Sequence, residues 1–240
     1  MILDAKYLSM PYRCAVYFIP DPKNVWWHAG SSWLGRCAAT SQPMLQPSID
    51  GVSPRDQFSL TAEPRRYGWH ATLKAPFKIV PGQNLRSVML ALNELGKSLS
   101  AFDLPIMKVS TDGGFMALRP HDNNPDIQRI GAACVTGLHS FAAPLSESEL
   151  ARRRMANLTP VQDHLLQVWG YPYVFDEFSF HLSLTGRLDS LSDDQLIHLH
   201  EAAIAHFGNL PVFRFDRLAL FVEPERGADF QLFDQVLLTS

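Results

Sequence analysis

Tyr67-Gly68-Trp69-His70-Ala71-Thr72-Leu73-Lys74 decides the reading of this chain, because its pattern returns in Ser179-Phe180-His181-Leu182-Ser183-Leu184-Thr185. Each copy carries His-x-(Thr/Ser)-Leu inside a run that reads as a β-strand. Side chains alternate faces along a strand, so positions two apart point the same way. His70 and Thr72 are therefore expected on one face with Lys74 following them, and Trp69, Ala71 and Leu73 on the other. Ser179, His181 and Ser183 share the corresponding face, backed by Phe180, Leu182 and Leu184. Each strand thus shows an imidazole and a hydroxyl to one side and an apolar row to the core.

Working outward, the same order of elements follows each copy: loop, amphipathic helix, Leu-Pro, strand, and a strand ending at proline. The first helix is expected over residues 84–100, with Leu85, Val88, Leu92 and Leu95 as its apolar stripe. The second is expected over 192–207, lined by Leu196, Leu199, Ala203 and Phe207. Leu104-Pro105 matches Leu210-Pro211, and Leu118-Arg119-Pro120 matches Val222-Glu223-Pro224. Motif and element order repeat together, which implies an internal duplication. The expected fold is α+β: duplicated bilobal βαββ-like lobes, antiparallel sheets facing a central cleft, helices outside. Lobe one takes residues 11–120 and lobe two 121–240, with a helical insertion at 122–170 broken near Pro144 and Pro160.

The remaining elements follow from local signals. Residues 13–19 read as the first strand, ended by Pro20-Asp21-Pro22, and 24–38 as a helix. Residues 40–66 form a long proline-bearing connection with a short helix at 54–60. Gly113-Gly114 makes a turn between strands at 104–109 and 115–120. Ser146 with Glu149 reads as a capping box. Strands at 210–222 and 230–238 close the chain.

Composition narrows the function classes. The 240 residues are 46% hydrophobic and 19% charged, as in a globular protein with a sizeable core. A net charge of -3 excludes a whole-molecule basic field for nucleic acid but leaves room for a local basic pocket. Cys14, Cys37 and Cys134 are odd in number and far apart, which fits reduced, structural thiols and a cytoplasmic protein. Residues 1–10 do not read as a secretory signal, and no apolar run is long enough to span a bilayer.

Two histidines facing one cleft suit general acid–base chemistry, since an imidazole titrates near pH 6.5 and one can be neutral while the other is protonated. Phosphodiester hydrolysis needs such a pair: one imidazole takes a proton from water and the other gives one to the leaving oxygen. Thr72 and Ser183 can donate to the phosphoryl oxygens. Lys74 and Arg187 lie on the side of their strands where they add positive charge. Tyr67 at the cleft rim and Tyr17 on the first strand are candidate substrate contacts. The scheme needs no metal and no cofactor. His198, His200 and His206 do not form a zinc set, because His198 and His200 sit about 200° apart on a helix. Arg152-Arg153-Arg154 reads as a solvated helix face, with a phosphate or RNA contact as the alternative.

The paired strings His70-Ala71-Thr72-Leu73 and His181-Leu182-Ser183-Leu184 resemble the two-histidine (2H) phosphoesterase superfamily, whose signature is a pair of His-x-(Thr/Ser)-x motifs in duplicated lobes. The likeness covers about residues 11–238. The longer contexts, Tyr67 to Phe77 and Phe180 to Leu188, look like the branch found with phosphonate-utilisation genes. The departures are small: bulky Trp69 and Phe180 precede the histidines, and the second hydroxyl is a serine. The resemblance implies a metal-independent hydrolase for a small cyclic phosphodiester: a nucleoside 2′,3′-cyclic phosphate, an RNA-end cyclic phosphate, or a ribose cyclic phosphate, which for this branch would be a phosphorylated one. His70 and His181 would be its acid–base pair and Thr72 and Ser183 would hold the phosphate, with the order of acid and base left open by the pseudo-symmetry. A module that binds a nucleotide or sugar phosphate without turnover would use the same donors.

Overall fold

The computed structural model describes residues 10–240; the reading of residues 1–10 as lacking a secretory signal falls, but for Met10, outside them. The strands are β1 (Arg13–Phe18), β2 (Ala71–Phe77), β3 (Phe102–Asp103), β4 (Met107–Ser110), β5 (Phe115–Pro120), β6 (Leu182–Arg187), β7 (Arg214–Phe215), β8 (Arg217–Glu223) and β9 (Gln231–Leu237). The helices are α1 (Val25–Leu34), α2 (Pro54–Leu60), α3 (Ala62–Tyr67), α4 (Leu85–Lys97), α5 (Pro125–Gly137), α6 (Glu147–Arg154), α7 (Pro160–Trp169) and α8 (Asp193–Phe207). The class is α+β, as the alternation of signals implied. The expected short helix at 54–60 is α2, begun by Ser53 as cap and Pro54 in its first turn. The expected capping box at Ser146 and Glu149 opens α6.

The sheet order is β4-β5-β6-β2-β1-β8-β9, and its named pairings are antiparallel. The two His strands are neighbours at its centre, joined through the pair Ala71↔Leu182. On either side the sequence halves are exchanged. β2 continues into β1, β8 and β9, while β6 continues into β5 and β4. A lobe boundary near residue 120 is therefore not the spatial one. The reason is that β4–β5 leave the first half to pair with β6, and β8–β9 leave the second half to pair with β1. The helices follow the exchange: α4 packs on β8 and β9, and α8 on β4. The small β3–β7 ladder, which sequence periodicity did not reveal, ties the two connections together through Phe102↔Phe215 and Asp103↔Arg214.

The centre of the core is aromatic. Phe18 stacks on Phe215 with centroids 4.3 Å apart, and Trp26 on Phe213 at 4.3 Å. Offset ring pairs of this kind add to the apolar burial. Trp69 is fully buried against α1, where Gly30 leaves room for its indole: a Cβ at that position would lie 1.9 Å from the ring. The Trp33 indole of α1 donates to the Leu184 carbonyl of β6 at 3.0 Å. One helix thus braces both His strands. Cys14, Cys37 and Cys134 are free. No helix among the described residues is long and apolar enough to cross a membrane.

Candidate active site

The two imidazoles are held in the same way. His70 and His181 each stand one residue before their strand, and each ring Nδ1 lies 2.8 Å from the carbonyl oxygen two residues earlier, Gly68 and Ser179 respectively. A carbonyl only accepts, so Nδ1 carries the proton and Nε2 is the free basic nitrogen. Gly68 is essential to this arrangement. Its φ is +81° with ψ 178°, a conformation nearly reserved for glycine, and a Cβ there would lie 2.5 Å from that of Ala38.

Antiparallel pairing at Ala71↔Leu182 sets His70 across from Ser183 and Thr72 across from His181. All four line one cleft of about 650 Å³. The Thr72 hydroxyl lies 3.2 Å from His70 Nε2 and donates to it. Among the described residues His181 Nε2 and Ser183 Oγ have no protein partner. Tyr17 lies across from Thr72, faces the same cleft and stacks on the His70 ring at 3.8 Å. Tyr67 also lines the cleft and stacks on Phe230 at 5.0 Å.

Burial lowers the His70 pKa to about 4, against a smaller opposing effect of the Gly68 carbonyl; the nearby His181 lowers it further. His181 is also lowered, first by burial and then by Arg119, while the Ser179 carbonyl opposes both. Both imidazoles are thus biased to the neutral form, His70 the more strongly. Burial raises the Tyr17 phenol well above its ordinary range, so it stays protonated.

Lys74 does not reach this cleft. Between Tyr17↔Thr72 and Val16↔Lys74 the register slips, so one step along β1 spans two along β2. This bulge at Leu73 reverses the alternation and sends Lys74 to the opposite face from Thr72. There the ammonium donates to the Val135 carbonyl of α5 at 3.3 Å and borders a separate cavity of about 220 Å³ with His139 and Trp169. Burial lowers its pKa to about 8. Arg187 does line the cleft, but at its exposed rim and already bonded to Asp189.

Several cleft residues escaped the sequence reading or were placed by it first on a solvated face. Arg13 and Arg66 both bond the fully buried Glu223, which also accepts from the Gly227 amide. Arg152 and Arg153 of α6 line the cleft rather than forming a wholly solvated face, together with Tyr171 and Tyr173 beyond α7. Thr185 on β6 is used structurally, accepting from the Met116 amide at 2.9 Å. Three consecutive arginines were the only local sign of a basic wall. Among the described residues no group of three His, Cys, Asp or Glu side chains is placed to hold a metal.

A family model described as "Protein of unknown function (DUF1045)" matches residues 72–231. Curated relatives include a protein of Janthinobacterium sp. (strain Marseille) named ribose 1,5-bisphosphate phosphokinase PhnN. It is 38% identical over 221 residues, covering 91% of this chain and 49% of that one. A protein of Laribacter hongkongensis (strain HLHK9) with the same name is 36% identical over 220 residues, covering 92% and 50%. The chain spans about half the length of these relatives. Solved structures with some likeness include one titled as a phosphoesterase, with 11% identity, coverage of 96% and 99%, and a TM-score of 0.46. Another is E. coli LigT complexed with 3′-AMP, with 10% identity, coverage of 96% and 99%, and a TM-score of 0.45.

Proposed function

The chain belongs to the family described as protein of unknown function (DUF1045), and we propose that it is a metal-independent phosphodiesterase that opens a small cyclic phosphodiester, a ribose cyclic phosphate foremost. The observation that carries this reading is the mirrored pair of imidazoles, each tied at Nδ1 to the carbonyl two residues back. His70, the more strongly biased to neutrality, is the base: its Nε2 takes a proton from water as the water oxygen forms a bond to phosphorus. His181 is the acid: its Nε2 gives a proton to the ribose oxygen as that P–O bond breaks. Thr72 and Ser183 donate to the non-bridging oxygens. In the free protein the Thr72 hydroxyl rests on His70 Nε2; a phosphoryl oxygen is the stronger acceptor and draws it away, freeing Nε2 for water.

We assign the phosphokinase activity named for the relatives to the portion of those chains outside the shared segment. This sequence has no Gly-x-x-x-x-Gly-Lys-(Ser/Thr) run. Its Gly96-Lys97-Ser98 stands at the C-terminal end of α4, the wrong end of a helix for a phosphate. What the relatives' name lends to this chain is the class of substrate, a phosphorylated ribose. The three free cysteines support a cytoplasmic setting for that chemistry.

The test is phosphorus NMR with EDTA present, on ribose 1,2-cyclic phosphate and on a nucleoside 2′,3′-cyclic phosphate, the latter standing for an RNA end. Ring opening by the wild type, reduced by about 10²-fold or more in His70→Ala and in His181→Ala, is expected. The profile of kcat/KM against pH should be a bell lying below pH 6.5, because the base stays neutral down to about pH 4 and the acid loses its proton below its ordinary value. Binding without turnover would instead make the chain a sugar-phosphate or nucleotide binding module. Full activity in both histidine variants would overturn the assignment.

A further inference from the structure

The cations around the cleft differ in what neutralises them. Arg13 and Arg66 share Glu223, and Arg187 is bonded to Asp189. On α6, Arg154 turns to Asp163 of α7 at 2.6 Å. Its neighbours Arg152 and Arg153 line the cleft, and neither side chain has an ion pair or hydrogen bond to another described residue. The Nε of Arg153 is buried with no partner at all. Its guanidinium lies 5.5 Å from the centre of the Tyr171 ring.

Helix α6 borders the cleft. None of its residues is buried, so it contributes little to the core. It is nevertheless firmly held: Glu149 completes the capping box and bonds Lys78 at 2.9 Å, and Arg154 ties the last turn to α7. A polar helix fixed at both ends presents Arg152 and Arg153 to the cleft. A buried guanidinium donor without an acceptor is costly, and a phosphate oxygen pair matches its fork. Burial disfavours the charge on Arg153, and Arg13 and Arg152 add to that while Tyr171 and Glu149 oppose it; an anion there relieves the repulsion among the arginines.

Building on the phosphodiesterase reading, we propose that the guanidinium groups which α6 extends into the cleft form a second anion subsite, in which Arg153, backed by Tyr171 and aided by Arg152, binds a terminal phosphate monoester of the substrate. The diester under attack is served by the sheet residues His70, Thr72, His181 and Ser183; the monoester is held by a helix outside the sheet. A cleft of about 650 Å³ has room for both. The substrate is then a cyclic diester of ribose that also carries a phosphate at its far end.

The experiment compares ribose 1,2-cyclic phosphate with and without a 5-phosphate on the wild type, Arg153→Gln and Arg153→Lys. The wild type should prefer the 5-phosphorylated compound by about 10- to 100-fold in kcat/KM, chiefly through KM. Arg153→Gln should lose that preference and treat the unphosphorylated compound within about twofold of wild type, and Arg153→Lys should keep part of it. Equal losses on both compounds, or a preference unchanged in Arg153→Gln, overturn the subsite. If the wild type hydrolyses neither compound, calorimetric titration with ribose 5-phosphate decides the subsite separately, and the phosphodiesterase reading itself fails only if a nucleoside 2′,3′-cyclic phosphate is left intact as well. Binding abolished in Arg153→Gln supports it; binding equal in the two proteins, or absent from both, overturns it.

Discussion

His70 is a histidine the fold prefers neutral, and that preference has a consequence for stability. The folded group takes its proton only near pH 4, whereas an unfolded histidine does so near pH 6.5. Between these values the unfolded chain binds more protons. The stability is therefore fully present above about pH 6.5 and is lost as pH falls toward 4. The loss amounts to roughly 3 kcal/mol at most. His70→Gln should be less sensitive over this window, as urea unfolding at pH 7 and pH 4.5 would reveal; equal sensitivity in the two proteins would argue against a buried neutral imidazole. The Gly68 carbonyl that orients the ring depends on a backbone conformation open to glycine. Gly68→Ala should cost roughly 1–3 kcal/mol and, by displacing the acceptor for Nδ1, also lower turnover. A variant with unaltered melting temperature and rate would mean the loop accommodates the methyl group.

At the scale of the element, the β2 bulge separates two residues that simple alternation puts together. Thr72 stays on the cleft face and Lys74 goes beneath the sheet, where it bonds only a carbonyl and has no carboxylate partner among the described residues. A buried ammonium of this kind is expensive, and a side chain of similar length without charge can replace it. Lys74→Met should thus leave kcat/KM within about threefold of wild type and hold or raise stability by about 1 kcal/mol. A loss of activity as deep as that of His70→Ala would instead return Lys74 to the phosphate.

For the whole molecule, the exchange of strands makes the two sequence halves interdependent. Residues 1–120 contain β1 and β2 without β8 and β9, and they contain β4 and β5 without β6. Each fragment would expose long unpaired strand edges. Fragments 1–120 and 121–240 expressed separately should be insoluble or unfolded, and co-expression should recover a complex with the far-ultraviolet circular dichroism of the intact chain. A cooperatively folded fragment 1–120 would show that the duplication still marks an autonomous unit.

The sequence by itself determined the elements and the pair of motifs. Periodicity placed α2, α4, α8 and β5 close to their observed ends, because each is decided by local spacing, proline and capping residues. Matching strand signals around His70 and His181 sufficed to name them as partners, since joining the duplicated strands side by side brings like positions together. What only the tertiary structure decided was what each strand pairs with and which way a side chain points after an irregularity. The Leu73 bulge depends on the β1 partner, and so the facing of Lys74 could not be read from β2 alone. The cleft role of Arg153 depends on α6 being anchored through the pairs Glu149–Lys78 and Arg154–Asp163, whose members lie 71 and 9 positions apart in the chain. Hydrophobic spacing is local along the chain, whereas register and electrostatic company are set by residues that become neighbours only on folding.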